Sequence, residues 1–230
     1  MQINQLPTHI AFIMDGNRRW AKKRNLPVFE GHRQGFQTAK KLMLYGKKLG
    51  IPYSTVYAFS TENWKRAEEE VKFLLLLLEW LVKNELQTMI KEEIGVRVIG
   101  SKELLNEKII KLITLLEEQT QHFNSNIVQI AFNYGGREEI TNAVKKIVST
   151  HPSTNTITEQ LISKNLYTSA IPDPDIMIRT GGELRLSNFL LWQLSYAELY
   201  FTETLWPDFD EKELDKALTE FSRRKRNFGK

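Results

Sequence analysis

The chain has 230 residues, 41% hydrophobic and 26% charged, a balance that supports one packed α/β domain or two small ones and excludes a disordered chain. It contains no cysteine, which excludes a disulfide framework and thiolate metal ligands and fits a cytoplasmic location. The net charge of +4 is too mild to choose among nucleic acid, anionic lipid and a phosphorylated substrate, although basic residues cluster at Arg18–Arg24 and Arg223–Arg226.

In chain order, the first twenty residues hold no basic stretch followed by a long apolar run, so no signal peptide is expected. Ile10–Met14 (IAFIM) reads as a buried strand. Phe36, Ala39, Met43 and Gly46 then recur at helical steps. Ser54–Phe59 is a second strand, and 69–92 a second helical pattern containing the run Phe73–Val82 (FLLLLLEWLV). Glu79 interrupts that run, which is shorter than the roughly 20 residues a spanning helix needs, so at most peripheral membrane contact is expected. Val96–Ile99, the helical stretch 102–121, Ile127–Phe132, the helical stretch 137–149, Asp175–Ile178 and the helical stretch 210–226 complete the series. The polar segment His151–Thr158 reads as a mobile loop. Strands alternating with helices predict a mostly parallel sheet flanked by helices, reached through right-handed crossovers. In such sheets ligands bind beyond the carboxyl ends of the strands, so chemistry is sought in the residues that follow each one.

Three strand ends carry suitable groups. Asp15-Gly16-Asn17-Arg18-Arg19-Trp20 follows the first strand. A carboxylate, a glycine and an amide opening a helix suit an anion or Mg²⁺, yet the same residues make an ordinary capped turn. Ser60-Thr61-Glu62-Asn63-Trp64-Lys65-Arg66 follows the second. After Asp175–Ile178 come Arg179, Arg185 and Ser187 around a Gly-Gly pair. Two guanidinium forks and a hydroxyl match a diphosphate, and a salt-bridged surface loop fits the pattern equally well. A phosphate loop of the G-x-x-x-x-G-K-[ST] type is missing, as is a dinucleotide fingerprint after the first strand. His9, His32, His122 and His151 lack zinc-ligand spacing.

The ordered set HIAFIMDGN-x-RW, GH, YAFSTENW-x-R, FNYGGR, IRTGGE-x-R-x-SNFLLWQ-x-x-YAELYF and LWPDF resembles the undecaprenyl diphosphate synthases, the bacterial cis-prenyltransferases, from His9 to about Phe228. The resemblance implies a single catalytic domain over 1–230, a homodimer with a hydrophobic tunnel, and condensation of isopentenyl diphosphate with an allylic diphosphate, farnesyl diphosphate being the expected primer. A long Z-polyprenyl diphosphate, undecaprenyl by default, is the implied product. It further implies that Asp15 binds Mg²⁺ and the allylic diphosphate, that Gly16, Asn17, Arg18, Arg19 and Trp20 cradle that diphosphate, and that His32 lies beside it. Ser60, Thr61, Glu62, Asn63, Trp64 and Arg66 would orient the isopentenyl unit, with Asn63 or Ser60 on the path of the departing proton. Arg179, Arg185 and Ser187 would grip isopentenyl diphosphate. Glu198, from this chain or a partner subunit, would complete the metal site, and Glu70 would assist at the start of a mobile helix.

A growing hydrocarbon requires a long apolar channel, and Phe73–Leu78 offers more consecutive apolar residues than one helical face can bury. Part of that run is expected to line the tunnel; a buried helix or a dimer face accounts for it equally well. Four positions depart from the family pattern: Arg18 replaces a small residue, Val28 and Asn227 replace arginines, and Ala67 replaces a proline. These losses leave a non-catalytic partner subunit of the same fold as the main alternative, which the retained Asp15, Asn63, Arg179, Arg185 and Glu198 disfavour. A nucleic-acid-binding domain ranks lower, because no binding motif accompanies the basic clusters, and no nucleic-acid partner is expected.

Overall fold

The computed structural model describes residues 5–150 and 157–224. The elements run β1 (His9–Ile13), α1 (Asn17–Lys23), α2 (Val28–Lys48), β2 (Tyr53–Ser60), α3 (Glu68–Lys91), β3 (Gly95–Ile99), α4 (Glu107–Thr120), β4 (Ile127–Tyr134), α5 (Gly136–Thr150), α6 (Glu159–Asn165), β5 (Ile176–Arg179), β6 (Glu198–Phe201) and α7 (Glu211–Arg223). Short 3₁₀ turns cover Thr61–Lys65 and Trp206–Asp208.

The strands form one sheet in the order β3-β4-β2-β1-β5-β6, and every pair is parallel. Alternation decides the two faces. Ile10 and Phe12 join Ile130, Phe132, Ile176 and Ile178 in the larger core. Ala11, Ile13, Ala131 and Met177 point the other way, under Phe189, Leu190 and Leu194. Burying each large apolar side chain contributes about 1.5–3 kcal/mol, so both faces must be covered.

β1 is the pivot. The chain moves from β1 to β2 on one side and later returns to place β5 on the other. Such a reversal of strand order opens a crevice at the carboxyl ends, where the loops after β1 and β5 diverge. Asp15 and Arg179 stand there.

The five expected strands are present with ends shifted by at most two residues. The sixth, β6, was not expected: four residues long, on the sheet edge and mostly half-buried, it lacks a continuous apolar run. Helix α4 begins at Glu107 rather than 102, because the Asn106 side chain caps it by accepting from the Ile109 amide at 2.9 Å. The expected mobile loop, except Thr158 and its neighbour Ile157, lies outside the described residues, as do His151, Asn227 and part of the Arg223–Arg226 cluster.

Helices α2 and α3 run side by side in the same direction. His32 faces Glu70, the ring of Phe36 meets that of Trp80 at 5.3 Å, and Lys40 faces Glu85. Both helices start beside the crevice and lead away from it over the larger core.

Candidate active site

Asp15 is fixed by its own backbone. Its carbonyl accepts from the Trp206 amide at 3.0 Å and from the Thr180 hydroxyl at 2.7 Å. Gly16 follows at φ 117°, and a Cβ there would press on Leu205 at 2.9 Å, so the turn into α1 needs glycine on both counts. The Asp15 carboxylate is thereby held at the crevice mouth between two guanidinium groups. Arg179 Nη2 donates to Oδ2 at 3.0 Å, and Arg19 Nη2 lies 3.3 Å from Oδ1.

Arg179 is only 3% exposed, and it reaches Ser187 Oγ at 2.8 Å and the Arg185 carbonyl as well. Its Nε, also buried, has no partner among the described residues. A buried cation with an unused donor, beside a one-third exposed carboxylate, is suited to an incoming anion with several oxygens. Gly181 and Gly182, at φ 83° and 78°, turn the chain so that the Gly181 carbonyl accepts from Arg19 at 2.6 Å. Ser187 and Asn188 also adopt positive φ, 49° and 64°, conformations that cost energy outside glycine and recur at binding loops.

The crevice has a volume of about 820 Å³ and brings together Asp15, Gly16, Asn17, Arg18, Arg19, His32, Ser60, Glu62, Asn63, Arg66, Arg179, Arg185 and Ser187. Sequence reading missed Tyr57 and Asn188, which also line it. Asn188 donates to Glu62 at 2.9 Å and accepts from the Arg137 amide at 2.9 Å, tying two loops together. Its place in the Ser187-Asn188 pair was the available signal. Tyr57 sits inside a strand whose alternation reads as plain core; its hydroxyl donates to the Tyr134 carbonyl at 3.1 Å, and burial pushes its pKa up.

Four expected residues stand elsewhere. Trp20 donates to Asp208 at 2.6 Å and lies under the Arg24 guanidinium at 4.2 Å, outside the crevice. Trp64 packs its ring on Phe59 and donates to Asn133 at 2.7 Å, a supporting position behind the 3₁₀ turn. Thr61 borders Gly135 rather than the crevice lining. Glu198 opens β6, pairs in register with Ile176 and accepts from Arg224 at 2.8 Å. Arg179 terminates β5 at the other end, so this chain does not bring its own Glu198 to Asp15. Among the described residues no group of three or more histidines or carboxylates converges as a metal site.

At the start of α3, Glu70 gathers two guanidinium groups and an imidazole: Arg66 at 2.9 Å, His32 at 3.3 Å and Arg18 at 3.7 Å. Burial lowers the His32 pKa, and the Glu70 charge opposes that shift without reversing it. Val28, where the resemblance implies an arginine, begins α2 exposed to solvent.

Met14, Asn17, His32, Ala58 and Leu74 form the floor of the crevice and at the same time the mouth of a second, apolar cavity. That cavity, about 160 Å³, continues between α2 and α3 above the sheet, past Phe36, Leu77, Leu78 and Leu81 to Met89, Ile94 and Val128. Of the run Phe73–Leu78, Leu74, Leu77 and Leu78 line it, whereas Leu76 is exposed.

A parallel α/β sheet with an arginine-flanked aspartate at its switch point, opening into an apolar channel, can hold an anionic head beside a hydrocarbon tail. Residues 13–229 match the family model described as putative undecaprenyl diphosphate synthase, and the chain belongs to that family of isoprenyl transferases. An isoprenyl transferase of Fusobacterium nucleatum is 50% identical over 224 residues, covering 97% of this chain and 96% of the relative. That of Thermotoga maritima is 46% identical, covering 98% and 97%. Among solved structures, lavandulyl diphosphate synthase from Lavandula x intermedia, in complex with dimethylallyl diphosphate, superimposes with a TM-score of 0.94 at 36% identity, covering 98% of this chain and 99% of that one. A probable undecaprenyl diphosphate synthase from Campylobacter jejuni gives 0.83 at 38% identity, covering 99% and 100%.

Proposed function

We propose that this transferase condenses isopentenyl diphosphate with an allylic diphosphate, farnesyl diphosphate being the primer, and releases a long Z-polyprenyl diphosphate of the undecaprenyl class. The observation that carries the proposal is the shared wall: the same five residues bound an arginine-lined crevice and an apolar cavity. A diphosphate ester of a hydrocarbon needs both compartments joined at one point. Each CH₂ moved from water into the cavity contributes about 0.8 kcal/mol.

In this reading the allylic diphosphate lies by Asp15, Gly16, Asn17 and Arg19, with its tail entering past His32 and Leu74. Isopentenyl diphosphate is held by Arg179, Arg185 and Ser187. The allylic C–O bond breaks and its electron pair leaves on diphosphate, where preorganised guanidinium groups stabilise the developing charge. The double bond of isopentenyl diphosphate attacks the allylic carbon, and a proton departs beside Ser60 and Asn63, whose Oδ1 accepts from the Ser60 amide at 3.2 Å. Mg²⁺ fits this donor set: it takes one or two carboxylates plus phosphate oxygens, and the Asp15 carboxylate is one-third exposed at the crevice mouth. When bound, Mg²⁺ would neutralise diphosphate charge. Glu198 would reach such a site only from a second copy. A homodimer through the β6 edge of the sheet is supported by Leu184 and Tyr196, 76% and 77% exposed. No helix among the described residues is long and apolar enough to cross a membrane, and a cytoplasmic enzyme touching the bilayer peripherally accords with a lipid product.

The test is incubation of the purified protein with radiolabelled isopentenyl diphosphate, farnesyl diphosphate and Mg²⁺, followed by chromatography of the lipids. A product ladder that disappears with Asp15→Ala or EDTA is expected. No product from folded protein across several primers would sink the proposal in favour of a non-catalytic subunit.

A further inference from the structure

Beyond its mouth, the apolar cavity contains polar side chains in one place. Lys40 on α2 and Glu85 on α3 line it, with Thr88 one turn further along. The Lys40 ammonium donates to Glu85 Oε2 at 2.6 Å. Glu85 is buried at 7% exposure, while the Lys40 side chain keeps 34%. Lys40 and Leu44 also line a separate surface groove with Gln34, Gln37, Pro207 and Asp208. The ammonium therefore stands as a partition between the hydrocarbon compartment and solvent.

Its position along the channel is informative. Lys40 lies eight residues beyond His32 on α2, about 12 Å at 1.5 Å per residue, and Glu85 eleven beyond Leu74 on α3, about 16 Å. The deep end, at Met89, Ile94 and Val128, lies further on. At about 160 Å³ the cavity is comparable to an engineered cavity of about 150 Å³ that accepts one benzene. A tail of many isoprene units cannot enter unless α2 and α3 separate, and Lys40–Glu85 joins these two helices where the tail must pass. Hydrocarbon reaching that point either strips the pair of its partner or stops.

We propose that the Lys40–Glu85 ion pair determines product length, acting as a gate in the channel wall that penalises elongation past it. The inference rests on the proposed condensation reaction and adds to it the element that sets where growth ends. Once the tail reaches the pair, each further isopentenyl addition drives hydrocarbon against a charged hydrogen bond, one of the stronger interactions to displace. Shorter tails never meet it.

The experiment compares product ladders from isopentenyl and farnesyl diphosphates for the wild type, K40M/E85M and the reversed pair K40E/E85K. Replacing both members keeps the fold accessible, because a buried ion pair exchanged for apolar residues of similar size is commonly neutral or stabilising. In K40M/E85M the ratio of longer to wild-type-length product is expected to rise roughly ten- to a hundredfold, the range that loss of a charged hydrogen bond implies. K40E/E85K is expected to return the wild-type ladder, which a purely packing role would not do. An unchanged or shortened ladder in folded K40M/E85M would overturn the gate while leaving the condensation standing. No product from the wild type would instead remove the reaction on which the gate rests.

Discussion

Glu70, in the first turn of α3, accepts at 2.9 Å from Nη1 of Arg66, which ends the preceding 3₁₀ turn, and in doing so anchors that helix to the crevice. The same carboxylate faces His32 on α2 and Arg18 on α1, so three elements meet on one acid. Glu70→Gln removes the charge that holds them. Folding stability is expected to fall by about 0.2–1 kcal/mol, the range for exposed ion pairs, because Arg66 and Arg18 are 35% and 62% exposed. Because Arg66 then loses its fixed orientation, KM for isopentenyl diphosphate should rise severalfold. Thermal unfolding and initial rates check the two parts separately.

Two glycines of α2 should respond to alanine with opposite signs. At Gly35 an added Cβ would collide with Asn17 Oδ1 and meet Trp206 at 3.0 Å. Trp206 is 1% exposed and its indole donates to the Gly35 carbonyl at 2.8 Å, while Asn17 Oδ1 is itself buried, so neither neighbour has room to yield. Gly35→Ala is expected to destabilise by about 1–3 kcal/mol. Gly46 has nothing within 4 Å of the same point, and Gly46→Ala should stabilise by about 0.5–1 kcal/mol through helix propensity. Denaturant midpoints of both variants decide the matter.

His9 predicts acid sensitivity. It is buried, its Nδ1 lies 2.7 Å from the Pro172 carbonyl and its Nε2 2.8 Å from the Thr55 hydroxyl, and burial lowers its pKa to about 4. The folded protein holds the neutral ring, while the unfolded chain protonates near pH 6.5. Stability contributed by this group is therefore present above about pH 6.5 and is lost as pH falls towards 4. The loss amounts to about 3 kcal/mol at 1.36 kcal/mol per pKa unit. His9→Gln should flatten that part of the stability–pH curve, as measured by urea unfolding between pH 4 and 7.

Filling the cavity should shorten the product. Leu78 is buried and lines the cavity, whereas Leu76, two residues earlier on the same helix, is 58% exposed. Leu78→Trp is expected to move the ladder to shorter chains, and Leu76→Trp to leave it in place. Equal ladders from the two variants would mean that the tail does not run between α2 and α3.

Much of this was legible in the sequence because strand and chemistry are contiguous there. IAFIM is followed directly by Asp15 and IMIR ends in Arg179, so a parallel-sheet reading brings both to one crevice. What stayed hidden depends on contacts across the fold. Trp64 sits in a motif rich in functional groups, yet its indole turns inward to Asn133, a partner 69 residues away. β6 escaped because an edge strand needs neither a full apolar face nor a long run. Glu70 is one of three consecutive glutamates at the start of α3, and only the fold distinguishes it from Glu68, which is 80% exposed.

In the proposed condensation, the anchoring of Asp15 bears on where the length of the product is set. Its carbonyl is tied to Trp206 and Thr180, and its carboxylate to two arginines, so the head end of any substrate meets a surface that does not give. The walls along the tail are side chains of two parallel helices joined at a few points. Under that proposal the protein acts as a ruler with a fixed zero and an adjustable far mark. Sequence change along α2 and α3 can reset the length of what is made while the bond-forming end stays the same.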